Sequence, residues 1–420
     1  MVKPEDLVNV VDKESNEIVS FLRDIIRIPS VTGEEGEIQR FISSYLKELG
    51  IKLDIFEPDL NELKKHPAYV PVERDYRGRP NVVGILEGSG QGRSIILNGH
   101  VDVIPAGPRE NWSVDPWSGE IIGESIYGRG ASDMKSGIAA MTGALKIIAE
   151  SGIKLKGKII SEYVVDEELS GHGTLACVLR GYMADGGINL ETSSMKVQPA
   201  SIGRIWYEIS VKGKPAGIQN RRNGVNAIDL AYKLKLAIDA YEANRISTLS
   251  HPLFPNKEES LPCMVGEFHA GTYPSAFPDT CILRGSLATL PNEDSKRVKD
   301  DFMKYLIEVA RQDPWMRQQL PDIKYKGYFA EPAEISTEHP LVKTISNAYR
   351  FVLKKEPEIS GRNGAADIRL LIKYGNTPSI VFGPGDTLQM HATDEHVKIE
   401  DVINATKILI KTILDWVGYE

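Results

Sequence analysis

The 420-residue chain has only three cysteines, Cys177, Cys263 and Cys281. They are too few and too scattered for a disulfide framework or a cysteine-rich zinc site, and they fit a reducing, cytoplasmic compartment. No apolar run approaches the ~20 residues of a membrane span, so no membrane partner is expected. The opening stretch Met1–Leu7 is charged and lacks the apolar core of a signal peptide. A basic surplus is also missing: 50 Lys and Arg stand against 58 Asp and Glu, for a formal net charge of −8. Gripping nucleic acid by its phosphates takes a concentrated basic face, so that class of partner is not expected. There is no internal repeat and no low-complexity tract. What remains is ordinary globular composition, 41% hydrophobic and 26% charged, over a length that implies roughly two or three domains.

Periodicity divides the chain. A helix is predicted from about Glu5 to Ile28, where Leu22, Ile25 and Ile26 share a face, and a second ends at Glu48 before the strand Ile51–Phe56. Pro58–Arg79 is polar, shows no clear period and reads as a surface loop. Asn81–Leu86 and Ser94–Asn98 are short apolar runs bounded by glycines, the pattern of buried parallel strands. Helix Ser136–Glu150 and strand Lys158–Val165 continue the alternation, which predicts an α/β domain with a mainly parallel sheet. Near Ser201 the pattern changes. Ile205, Tyr207, Ile209 and Val211 alternate with polar residues, helix Val225–Glu242 follows, and Ser250–Pro262 is a Pro-rich loop. A second alternating strand lies near Cys281–Leu287, and Val298, Phe302, Tyr305, Leu306 and Val309 mark an amphipathic helix. Helix Leu341–Lys354, strand Ser379–Phe382 and helix Ile399–Val417 return to the first pattern. The expected organisation is therefore a catalytic-type domain in two parts, 1–200 and 329–420, with a smaller α+β domain, 201–328, inserted between them.

Four short segments place polar residues where buried strands end. In Asn98-Gly99-His100-Val101-Asp102 an extended backbone puts His100 and Asp102 on one side, although such a triplet also suits a plain turn. In Gly128-Arg129-Gly130-Ala131-Ser132-Asp133, glycines let backbone pass close to a site ahead of a helix, where Ser132 or Asp133 equally suits a capping role. Asp166-Glu167-Glu168 sets three carboxylates directly after an apolar strand, and like charges so close call for a neutralising cation or a solvated turn. His172, shortly after, reads as a surface or helix-start residue. In Phe382-Gly383-Pro384-Gly385, followed by His391 and then Thr393-Asp394-Glu395, a lone histidine follows a Gly/Pro loop, and Glu395 reads as a helix-start acid.

Taken together in this order, the four motifs resemble the two-zinc amidohydrolase family that includes acetylornithine deacetylase, succinyl-diaminopimelate desuccinylase, aminoacylases and glutamate-releasing carboxypeptidases. The resemblance runs from Ile28-Pro29-Ser30-Val31 to the closing helix. It implies a zinc-peptidase-like α/β catalytic domain with a ferredoxin-like α+β lid that mediates a homodimer. It implies that one metal takes His100, Asp133 and Glu191, that the other takes Asp133, Glu168 and His391, and that Asp133 bridges them. It further implies that Asp102 orients His100 and Glu167 is the general base. Glu191 sits in Asn189-Leu190-Glu191-Thr192-Ser193, where the family more often has Gly-Glu-Pro-Thr. A donor set of carboxylates and imidazoles without thiolate suits two Zn²⁺ per chain, with Co²⁺ or Mn²⁺ tolerated. The implied reaction is hydrolysis of an amide C–N bond in a small N-acyl amino acid or related amide. Two divalent ions sharing a water lower its pKa toward 7, and Glu167 moves its proton to the leaving amine.

Two departures bear on the substrate. Gly217 stands where the family usually has a lid histidine that reaches a dimer partner's site, and Ala288 stands where several members have a carboxylate-binding arginine. Ser275-Ala276-Phe277-Pro278 also replaces the family's Asn-Val-Val-Pro element. Asn220, Arg221 and His269 are candidates for the missing donor, and Arg369, beside Asp367, for the carboxylate anchor. Two other readings use the same residues: a dipeptidase, carboxypeptidase or carbamoyl-amide hydrolase, and a metal-loaded binding protein with little catalysis.

Overall fold

A computed structural model describes residues 4–420. Of the charged opening stretch Met1–Leu7, the first three residues lie outside the described ones. The chain divides into two compact units, one comprising the described residues up to Ala200 with Glu334–Arg362 and Ala366–Glu420, the other Ser201–Ala333 with Asn363–Ala365.

The larger unit is built on a nine-stranded mixed sheet. At its centre Ile159–Val164, Ile95–His100, Gly187–Asn189 and Ser379–Val381 run side by side in parallel. Lys52–Phe56 and Asn81–Leu86 extend it antiparallel on one side, and Val197–Ser201 joins antiparallel on the other. The central strands are covered on both faces, which is why they read as unbroken apolar runs. Ile95 and Leu97 pack into the main core with helices Pro4–Arg27, Lys135–Glu150, Pro340–Leu353 and Ile399–Val417. Ile96, Ile160 and Val164 pack on the opposite face with Cys177 and Leu371. With a side-chain period of two, Asn98 and His100 share that second face.

The segment expected as a surface loop, Pro58–Arg79, is largely exposed and irregular, with local exceptions. It contains a short helix, Leu60–Leu63, and it buries Val70, Tyr76 and Arg79. Arg79 pairs with Glu35 at 2.5 Å and with Asp166 at 3.0 Å. His172 begins helix His172–Leu179 but is fully buried. Its Nε2 accepts from Val70 N–H at 3.2 Å, so Nδ1 carries the proton and donates to Tyr76 Oη at 2.6 Å; that hydroxyl in turn donates to Asp166 at 2.8 Å. Most of its polar residues, among them Asn61, Glu62, Lys64, Lys65 and Arg77, are exposed as expected, and the buried exceptions Tyr76 and Arg79 are met by these partners.

The smaller unit is a four-stranded antiparallel sheet in the spatial order Cys263–Ala270, Thr280–Thr289, Gly203–Lys212, Asp322–Ala330. Helices Ala227–Thr248 and Ser295–Gln312 complete a β-α-β-β-α-β sequence, and the strands lie in the order 4-1-3-2 of a ferredoxin-like sheet. Ile205, Tyr207, Ile209 and Val211 face a core shared with Leu230, Leu234, Phe302 and Leu306. Strands Cys263–Ala270 and Asp322–Ala330 were not expected from the sequence: register shifts between Val265 and Glu267 and between Tyr325 and Phe329 break their alternation. The first helix also runs six residues beyond its expected end at Glu242. No described helix is long and apolar enough to cross a membrane.

Candidate metal centre

The carboxyl ends of parallel strands are where an α/β sheet presents ligands, because the chain leaves the sheet there in loops. Four such exits converge in this protein. His100 closes its strand, Glu167 and Glu168 follow Ile159–Val164, Glu191 follows Gly187–Asn189, and His391 follows Ser379–Val381. Asp133 comes from the loop ahead of helix Lys135–Glu150, where the Asp133–Met134 peptide is cis.

His100 Nε2 lies 2.9 Å from Glu191 Oε1 and 3.3 Å from Asp133 Oδ1. His391 Nε2 lies 3.0 Å from Glu168 Oε2 and 3.3 Å from Asp133 Oδ2. Asp133 thus presents one oxygen to each imidazole. Glu167 Oε2 is 3.9 Å from His100 Nε2, and Glu167, Glu191 and His100 form a second group of donors within ligating reach of one another. Four buried or nearly buried carboxylates and the buried His100, with the more exposed His391 at their edge, are an oxygen-and-imidazole donor set that fits divalent cations.

The electrostatics agree. Burial opposes a charged His100, but hydrogen bonds to Asp133 and Glu191 outweigh it and raise the imidazole well above its usual range. His391 is raised to about 10, first by its hydrogen bond to Asp133 and then by that to Glu168. Burial disfavours ionised Asp133, yet hydrogen bonds from both histidines hold it well below the usual carboxylate range. Burial, with repulsion from Asp367, Glu191 and Glu168, lifts Glu167 well above that range despite the nearby His100. Cation-free, the cluster charges its imidazoles to offset its carboxylates.

Asp102 holds His100 through its backbone carbonyl, 2.9 Å from Nδ1, while its carboxylate oxygen is 3.6 Å away. That carboxylate accepts from the Glu167 N–H at 3.1 Å, the Glu168 N–H at 3.3 Å and Thr32 Oγ1 at 2.9 Å, so it fixes the backbone that carries both glutamates. The ring contact fixes the tautomer, with Nδ1–H outward and Nε2 turned to the site.

Two residues of the site were not singled out in the sequence. Glu395, expected as a helix-start acid, is buried and accepts from Gly130 N at 3.0 Å, Ser132 N at 2.9 Å, Asp133 N at 2.9 Å and Arg129 Nη1 at 2.6 Å. It locks the Asp133 loop to the His391 segment. Arg362 lies 3.1 Å from Glu191 Oε2. An Arg within Gly128-Arg129-Gly130 and an acid four residues after His391 were visible, but nothing local pairs them.

The remaining candidates have the following local surroundings. Arg369 is buried against Asp367 at 3.0 Å and donates to the Ser170 carbonyl at 3.1 Å. Asn220 and Arg221 are exposed on a 3₁₀ turn, Ile218–Asn223, of the smaller unit. His269 is exposed on strand Cys263–Ala270, 2.9 Å from Glu267. Ala288 is fully buried, and its carbonyl accepts from Arg245.

An α/β sheet carrying a carboxylate–imidazole cluster at its strand ends presents a candidate metal or ligand site there. The chain belongs to Peptidase family M20/M25/M40, whose model matches residues 96–415, and it acts on amide C–N bonds. It is 30% identical to N-formyl-4-amino-5-aminomethyl-2-methylpyrimidine deformylase from Bacillus subtilis, covering 97% of this chain and 96% of that protein. It is 24% identical to a probable succinyl-diaminopimelate desuccinylase from Staphylococcus epidermidis, over 90% and 93% of the two chains. A tripeptidase from Staphylococcus aureus superposes with a TM-score of 0.74 at 21% identity, over 96% of this chain and 98% of that one, a likeness of fold.

Proposed function

We propose that the protein removes a short N-acyl group from a small amide in a reaction requiring two divalent ions, Zn²⁺ by donor chemistry. One would be held by His100, Asp133 and Glu191, the other by Asp133, Glu168 and His391. The observation that carries this reading is the division of Asp133 between two histidines, each with its own second carboxylate. When bound, the pair would acidify a shared water and polarise the amide carbonyl. Glu167, not needed in either triad, takes the proton of the attacking water and returns it to the leaving nitrogen. Asp102 holds the Glu167–Glu168 backbone and the His100 ring in register.

The likeness to a deformylase, together with Ala288 and Gly217 in place of a lid arginine and histidine, favours a formyl or similarly small acyl group on an amine without a carboxylate. A panel of N-formyl, N-acetyl and N-succinyl amides, with free and blocked carboxylates, tests this. Fastest turnover of the N-formyl, carboxylate-free member is expected; a strict carboxylate requirement would overturn the amine assignment and return the anchoring role to Arg221 or Arg369. We also propose a homodimer formed through the smaller unit, supported by edge strand Cys263–Ala270 with Met264 and Phe268 exposed. Sedimentation equilibrium of a monomer would contradict it. A cytoplasmic location is supported by three free, buried cysteines.

A further inference from the structure

Arg362 closes strand Ile359–Arg362 at the margin of the large sheet, and its side chain is buried. Nη2 lies 3.1 Å from Glu191 Oε2 and 3.9 Å from Met390 Sδ, and Nη1 donates to the Thr192 carbonyl. Nε is buried with no partner. A buried guanidinium with an unmet N–H is a poor stabiliser, since apolar side chains of similar volume often serve a fold as well or better. Its position instead suits a task at the site.

That task is legible in Glu191. Its Oε1 lies 2.9 Å from His100 Nε2, whereas Oε2 accepts from Arg362 and, at 3.0 Å, from the Thr192 N–H. The two oxygens are therefore assigned to different partners. We propose that Arg362 is a positioning residue: by occupying Oε2 it makes Glu191 a one-oxygen donor and fixes the direction from which Oε1 approaches the site. The contact of Arg362 with Met390, next to His391, is a weak one to sulfur at 3.9 Å, so the effect is confined to Glu191. Without the guanidinium, Oε2 keeps only the Thr192 N–H and is less firmly held away from the site, so both oxygens of Glu191 become available as donors. This inference rests on the two-ion reading above and adds to it a residue that acts through the ligand Glu191.

The test uses the full chain, stripped of metal and titrated with Co²⁺, comparing the parent protein with R362K and R362M by calorimetry and visible absorption. R362M is expected to weaken one of two binding constants by about 10–100-fold, the usual effect of losing a partner behind a ligand, and to leave the other unchanged. Its Co²⁺ bands should also lose intensity as Glu191 becomes two-coordinate, and R362K, which keeps the charge but not the fork, should recover part of both effects. Should R362M fail to fold, R362K carries the same comparison. Constants and spectra identical to the parent's in the folded variants would overturn the proposal. A parent that binds one ion overturns the two-ion reading alone, because the Arg362 comparison is then read on that ion; a parent that binds none overturns both.

Discussion

Asp133 is shared between His100 and His391, with Oδ1 3.3 Å from the first imidazole and Oδ2 3.3 Å from the second. The two histidines lie 291 positions apart, so one carboxylate joins the two ends of the large unit's sequence. Asp133→Asn keeps the shape but removes the charge that both imidazoles face. It is expected to abolish uptake of two ions and bring turnover to background, read by metal analysis of the purified protein beside its activity.

Glu167→Gln separates the base from the ligands. A drop in turnover of about 10²–10⁴-fold is expected from loss of a positioned proton carrier, with two ions still bound per chain. Loss of an ion instead would make Glu167 a ligand, in keeping with its place in the second donor group.

Glu395→Ala should act through stability. It strands three backbone N–H groups and buried Arg129, and breaking a buried ion pair from one side costs about 3–5 kcal/mol. Glu395→Gln, which still accepts but adds donors facing donors, should fall between the two. Denaturant midpoints of the three metal-free proteins check the order.

Acid should destabilise the fold through His172. Burial, opposed by Asp166, depresses its pKa from 6.5 to about 4. Between those values the unfolded chain takes up a proton that the folded one refuses, so stability is fully present above 6.5 and falls as the pH drops toward 4. A shift of this size is at most about 3 kcal/mol. His172→Gln should flatten that part of the stability–pH curve; an unchanged slope would place the sensitivity elsewhere.

Gly217 has no structural need to be glycine: its φ is −69° and a Cβ there would meet nothing within 4 Å. Gly217→His should leave the melting temperature unchanged, as exposed substitutions usually do within about 0.5 kcal/mol. If the family's lid histidine is the missing donor, N-acetyl amino acids should be turned over faster by this variant; equal rates would show that the native site does without one.

The sequence by itself determined the layers and the reaction class. Strands such as Ile95–His100 are legible because burial on both faces leaves an unbroken apolar run, whereas His100, Asp133, Glu168 and His391 each also suit a turn or a cap and became candidates only through the joint order of four motifs and the family they resemble. Cys263–Ala270 was illegible because its register shift destroys the two-residue period. Pro58–Arg79 is largely the exposed loop its composition suggests, but the burial of Tyr76 and Arg79 was illegible because their partners, His172 for the first and Glu35 and Asp166 for the second, are remote along the chain. Only the tertiary structure decided the roles of Glu395 and Arg362, whose partners lie 262 and 171 positions away. A charge pair that is close in space but remote along the chain leaves no periodic trace, since each half alone is one more charged residue among many.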